Sequence, residues 1–157
     1  MLKLSLFELF FRLLPEGFLL CFLMYVLSNK QFDTNKLVLT GIILGITPFF
    51  IRLLPINFGV HTIISLIIYI IAAVGLNNIN IITAISSGLL SIIILSICDF
   101  INFFVLVNLF EFPIETLVNN IKLKTLAGMP SLLLFSLIVF LLYKIKRNKN
   151  EEVPKVV

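Results

Sequence analysis

The sequence predicts an all-α fold: a polytopic membrane helix bundle of about five transmembrane helices plus one interfacial amphipathic helix. Three observations carry that prediction. Of 157 residues, 60% are hydrophobic and 13% charged, about half the charge of an ordinary soluble domain; the mean hydropathy is +1.15. Residues 53–98 carry no formal charge, His61 being neutral. The apolar runs are about as long as a bilayer core requires and are separated by short polar breaks. A water-soluble fold of this size has too much surface to cover with so few polar groups. A disordered chain, a nucleic-acid binder and a secreted disulfide scaffold are excluded on the same ground. The spans read as helices because open strands leave backbone groups unsatisfied in lipid, and the runs are too long and too little alternating for barrel strands.

The first span takes residues 15–28 with part of 4–14, and the polar stretch from Ser28 to Lys36 is a loop. Residues 37–54 form the second span, with Pro48 inside it, and Leu54-Pro55-Ile56-Asn57 makes a turn. Residues 58–76 form the third, closed by the polar break Asn77-Asn78-Ile79-Asn80. The fourth, 81–110, exceeds one untilted crossing, so it tilts, kinks near Gly88 or projects beyond the lipid. In 111–129 the polar residues Glu111, Glu115, Asn119, Asn120, Lys122 and Lys124 interleave with Ile114, Leu117, Val118 and Ile121, one helical face at i, i+3, i+4 and i+7. That segment reads as an amphipathic helix on the membrane surface, or else a partly helical loop. Residues 130–146 form the last span. Residues 1–146 are thus a single integral membrane domain, and 147–157 a short basic cytoplasmic tail.

Net charge is +4, and +3 of it lies from Lys144 onward, where Lys144, Lys146, Arg147, Lys149 and Lys155 face only Glu151 and Glu152. Basic residues beside a span mark the cytoplasmic face and its anionic lipids. The C-terminus is therefore expected inside the plasma membrane and, with five crossings, the N-terminus outside. The loop with Lys30 and Lys36 then falls inside; Arg52 and Lys3 count mildly against this orientation. If residues 1–14 cross separately, the count becomes six. They do not read as a cleavable signal, since Glu8, Arg12, Pro15 and Glu16 interrupt the apolar run. Cys21 and Cys98 sit in apolar runs without a CxxC pattern and read as small hydrophobes.

Residues 10–18, Phe-Phe-Arg-Leu-Leu-Pro-Glu-Gly-Phe, recur forty positions later as residues 50–58, Phe-Ile-Arg-Leu-Leu-Pro-Ile-Asn-Phe. Coincidence in a Leu- and Phe-rich chain is one reading; the other is a parallel repeat of two crossings per unit. Pro15, Pro55 and Pro130 then each open an inward-going helix, where a missing N–H costs nothing.

Asp99 is the one acid between residues 34 and 110. A charge at mid-membrane costs about 2.5–3.5 kcal/mol, so Asp99 is expected to face other helices or water. Ala84, Gly88, Ser91, Cys98 or Asp99, and Asn102 trace a small, polar stripe on that helix. It reads as a packing face between helices or as part of a polar pocket. Arg12, Glu16, Arg52, Asn57, His61, Asp99 and Asn102 fall near one level and form the candidate polar cluster. The cognate positive groups for Asp99 are Arg52, Arg12 or His61, and the pairing expected is with Arg52 or His61. His61 is a pH-responsive group in principle and more commonly a hydrogen-bonded structural one. No HExxH, GxSxG, P-loop or GxGxxG motif is present, and no cluster of metal ligands. No catalytic, cofactor-binding or metal-binding residue is predicted.

The stretch Arg52-Leu53-Leu54-Pro55-Ile56-Asn57-Phe58-Gly59-Val60-His61-Thr62, with Leu123-Lys124-Thr125-Leu126-Ala127-Gly128-Met129-Pro130-Ser131-Leu132, resembles the multi-span N-terminal membrane region of histidine-kinase-like (GHKL-type) sensor proteins of low-GC Gram-positive bacteria. The resemblance covers most of residues 5–145 and implies a signal-sensing or signal-relaying role in the plasma membrane. The pattern departs after Lys146: no ATPase domain, phosphoacceptor helix or nucleotide motif follows, so kinase activity is not carried over. Two functions are therefore expected. One is a non-enzymatic sensor or accessory module acting through a membrane or cytoplasmic protein partner. The other is a small transport protein or substrate-binding membrane subunit of a transporter. In either case the lipid bilayer is the environment and nucleic acid is not a partner.

Overall fold

The computed structural model describes residues 6–53, 59–108 and 121–152, and among these it is all-helical. Helix α1 (Leu6–Glu8) passes into a π-helical turn (Leu9–Leu13) and directly on into α2 (Leu14–Ser28). Pro15 occupies the first turn of α2, as its missing N–H favours. There follow α3 (Thr34–Leu53), α4 (Val60–Gly75), α5 (Ile81–Asn108), α6 (Ile121–Ala127) and α7 (Met129–Glu152). Asn29 (φ 54°) ends α2 and Asn78 (φ 50°) lies in the turn after α4. Asparagine tolerates this left-handed conformation better than other residues with a side chain.

Four helical segments are long and apolar enough to cross a membrane: Leu9–Ser28, Thr34–Leu53, Ile81–Asn108 and Leu123–Asn148. The expected third span is the shorter α4, 16 residues, or about 24 Å of helix against a hydrocarbon core of about 30 Å. Residues 6–14 run unbroken into α2, so among the described residues they lengthen the first helix and add no separate crossing. The surface helix expected over 111–129 falls largely outside the described residues. Its last turns differ from the expectation: Gly128 N–H donates to Lys124 O (3.1 Å) and Thr125 O (3.2 Å), so helical bonding carries α6 toward α7.

Helices α2, α3, α4 and α5 form a closed ring of neighbours, with α7 against α2 and α5. Successive long helices alternate in direction. Arg12, Arg52, Asp99 and Gly128 gather at one end; Lys30, Asn77 and Lys146 gather at the other. α2 belongs to both apolar cores. Cys21, Met24 and Tyr25 pack with Leu44, Tyr69, Ala72, Ala73 and Ile79, while Leu23 packs with Cys98, Phe135 and Val139. A helix buried on opposite sides must be apolar around its circumference, and the run from Phe18 to Leu27 is. The stripe expected on α5 is its buried face: Ala84, Ser87, Gly88, Ser91, Cys98 and Asn102 point inward, with Cys98 rather than Asp99 on its line.

The second end is knotted by Asn77, which the sequence presents only as a loop residue. Its side chain is buried. Tyr25 Oη donates to Asn77 Oδ1 at 2.6 Å, and Asn77 Nδ2 donates to Thr40 Oγ1 (2.9 Å) and Ala72 O (3.1 Å). One amide thus joins α2, α3 and the end of α4. Asn77→Ala leaves the buried hydroxyls of Tyr25 and Thr40 without this partner, each worth about 1–3 kcal/mol when stranded. A fall of about 2–3 kcal/mol in unfolding free energy is expected in detergent micelles; a wild-type value would show that water replaces the amide.

Candidate functional site: an ion-pair cluster at one end

The π-helical turn places the cluster. It adds a residue to one turn just where Glu8, Arg12 and Glu16 succeed each other at four-residue steps. π-Turns are uncommon and concentrate at functional positions. Arg12 leaves this turn toward α5, where its Nη2 lies 3.5 Å from Asp99 Oδ1 and 3.4 Å from Oδ2. Glu8 goes the other way: its Oε1 accepts from Arg52 Nη1 of α3 at 3.0 Å. The side chain of Glu8 is 7% exposed and that of Asp99 43%. The Glu8–Arg52 pair is therefore the drier and shorter of the two, and the Arg12–Asp99 pair is long for a charge-assisted bond.

Glu16 lies one turn beyond Arg12, half-buried, and feels the charges of Arg12, Asp99, Arg52 and Glu8 together. With all five ionised, three carboxylates meet two guanidinium groups. The floor of the cluster is α6 and the start of α7. Asn102 Nδ2 donates to Ala127 O at 2.7 Å, and Ser131 Oγ donates to Gly128 O at 2.8 Å. The Arg12 guanidinium lies so close to Gly128 that a Cβ there would stand 2.7 Å from Nη1. Glycine at 128 is thus the seat of Arg12.

Of the residues predicted for this cluster, Arg12, Glu16, Arg52 and Asp99 come together. Asn102 lies one turn along α5 and holds α6 rather than a charge. His61 stands on the first turn of α4, half-buried. Asn57 lies outside the described residues. The expected pairing is corrected: Asp99 meets Arg12, and Arg52 meets Glu8. The cause is packing order, since α2 stands between α3 and α5 and its own arginine is nearest to α5. Glu8 was missing from the predicted cluster. Glu8, Arg12 and Glu16 follow one another at four-residue steps, and that spacing is the signal that identifies Glu8. Among the described residues no group of three His, Cys, Asp or Glu gathers in a way that could hold a metal ion.

At the opposite end the polar groups act as caps. Lys146 Nζ of α7 donates to Val26 O and Leu27 O, both at 2.8 Å. These are last-turn carbonyls of α2, where positive charge is favoured. Lys30 Nζ similarly donates to Asn77 O (3.2 Å) and to Asn78 O. Phe32 folds onto Phe22, Tyr25 and Tyr143, with ring centroids 5.1, 5.4 and 5.9 Å away. Comparison with family models, with curated proteins and with solved structures gives no match.

Proposed function

We propose that this chain is a multi-pass plasma-membrane protein of five crossings that acts without an enzymatic step, as a sensor or accessory module relaying a state to a protein partner. The observation that carries this reading is the linkage of α7 to α2 at both ends. At the ion-pair end, Gly128 seats Arg12. At the other, Lys146 caps α2, and α7 continues as helix to Glu152. These two contacts offer a displacement of Arg12 a route along α7 to its basic end, which is what supports a relay. The sensor resemblance of residues 52–62 and 123–132 points the same way. Transport is the second reading. The π-turn and Pro48 inside α3 favour it, because transporters place ion sites at irregular helices.

The alternation of the five helices supports a cytoplasmic C-terminus, since Lys30, Lys36, Lys144, Lys146 and Arg147 then share the inner face. Asp33→Cys is expected to resist a membrane-impermeant maleimide in intact cells and to react after permeabilisation. Labelling from outside would reverse the orientation. For function, paired cysteines spanning α2 and α7 near Lys146 should change cross-linking yield when Arg12 is replaced by Gln. An unchanged yield together with Arg12-dependent uptake of an ion into vesicles would favour transport.

A further inference from the structure

We infer that the cavity between the α2–α3 loop and the α4–α5 turn is a binding site for the phosphate headgroup of an anionic phospholipid. The cavity has a volume of about 640 Å³, within the range of small-ligand sites. Its charged lining is Lys30, Lys36 and Asp33, and Gln31, Asn35 and Asn78 add side-chain amides. Asp33 caps the start of α3, its Oδ1 accepting the Lys36 backbone N–H at 3.3 Å, and keeps its negative charge in the lining. Lys30 is held by the carbonyls of Asn77 and Asn78, which position its ammonium without neutralising it. The lining thus carries two ammonium groups and one carboxylate, a net charge of +1 that favours an anion.

Part of the wall is held by contacts within the bundle, while residues 30–35 are exposed. Phe32 is anchored among three rings, and Asn77 is buried in its own network. Contacts formed before binding lower its ordering cost. What selects a lipid over a free anion is the surface adjoining the mouth. Val38, Leu39 and Ile42 of α3 are exposed, and they carry an apolar path away from the charged lining along a helix long enough to cross the bilayer. A phosphodiester seated by Lys36 and Lys30 can lay its acyl chains there. The inference is independent of whether the protein relays or transports.

The test uses the full chain, purified in a neutral detergent and offered an equimolar mixture of phosphatidylglycerol and phosphatidylcholine of identical acyl chains, with retained lipid read by native mass spectrometry. Wild type is expected to retain phosphatidylglycerol over phosphatidylcholine by about fivefold or more, the effect of one interfacial cation. Lys36→Glu is expected to abolish that preference, while Lys144→Glu, outside the cavity, keeps it. Equal retention of the two lipids by wild type overturns the proposal without reference to any variant. Equal losses in Lys36→Glu and Lys144→Glu overturn it in favour of diffuse attraction to the basic end. Displacement of the retained lipid by millimolar inorganic phosphate overturns the lipid assignment in favour of a free phosphate site.

Discussion

Gly17→Ala is expected to lower the unfolding free energy by about 3 kcal/mol, the upper part of the usual overpacking range, and Gly17→Leu to prevent recovery of folded protein. The new Cβ would stand 2.6 Å from Gly41 O and 2.6 Å from Gly45 Cα, and closer still to Gly45 N. These are backbone atoms of α3, so no side chain can turn away to make room. Gly45 is equally confined from the other side, with its Cβ position 2.9 Å from Leu14 Cα. The two helices cross backbone against backbone on small residues, as helices in lipid do where dispersion, not water exclusion, holds them. Gly88 makes an internal control. Its Cβ position meets Leu66 Cδ1, a side-chain end that can shift, at 2.8 Å and the buried Tyr69 ring at 3.0 Å. These are side-chain rather than backbone atoms, so Gly88→Ala should cost less, about 1 kcal/mol. Gly75 faces open space, and Gly75→Ala should be neutral or slightly stabilising. Denaturation in mixed micelles gives the order. Equal effects at 17 and 75 would mean that α2 and α3 do not meet at Gly17.

How far the sequence could be read follows from what each feature depends on. Apolar length is a local property, so the first, second and fourth spans are legible within a few residues. The last helix runs six residues past the expected 146, to Glu152, because charged residues can continue a helix beyond its apolar run. α4 is legible as apolar but not as short. The Asp99 charge was legible as exceptional because nothing else in its run is charged. Its partner was not, since choosing among Arg12, Arg52 and His61 requires knowing that α2 stands between α3 and α5. The Gly41-Ile42-Ile43-Leu44-Gly45 spacing on α3 and the position of Gly17 on α2 hold that order, but a small-residue spacing does not say which helix it receives. Asn77 reads as a loop residue for a similar reason. Its partners Tyr25 and Thr40 lie 52 and 37 positions away, and no local pattern announces them. Lys146 is legible as part of a basic tail, but its role as the cap of α2 depends on α7 running parallel beside that helix, so that the two end at the same side.

The two ion pairs also make different demands on the bundle, and the difference is measurable. Arg52→Gln strands Glu8, whose side chain is 7% exposed. Removing one partner of a buried pair costs about 3–5 kcal/mol, because the remaining charge has neither water nor counter-ion. A loss near 3 kcal/mol is expected here, since Arg52 itself is 33% exposed and water reaches one side of the pair. Arg12→Gln leaves Asp99 unpaired, but Asp99 is 43% exposed and is partly hydrated, so its share of the loss is about 1 kcal/mol, as for surface pairs. Loss of the guanidinium from its seat on Gly128 adds a packing defect. Three double-mutant cycles separate these contributions. Glu8→Gln with Arg52→Gln should show the largest coupling, about 2 kcal/mol. Asp99→Asn with Arg12→Gln should show about half of that. Asp99→Asn with Arg52→Gln should be the nearest to additive, because each of these groups is paired elsewhere, Asp99 with Arg12 and Arg52 with Glu8. A third cycle as strong as the second would restore the Asp99–Arg52 pairing and would place α3, rather than α2, against α5.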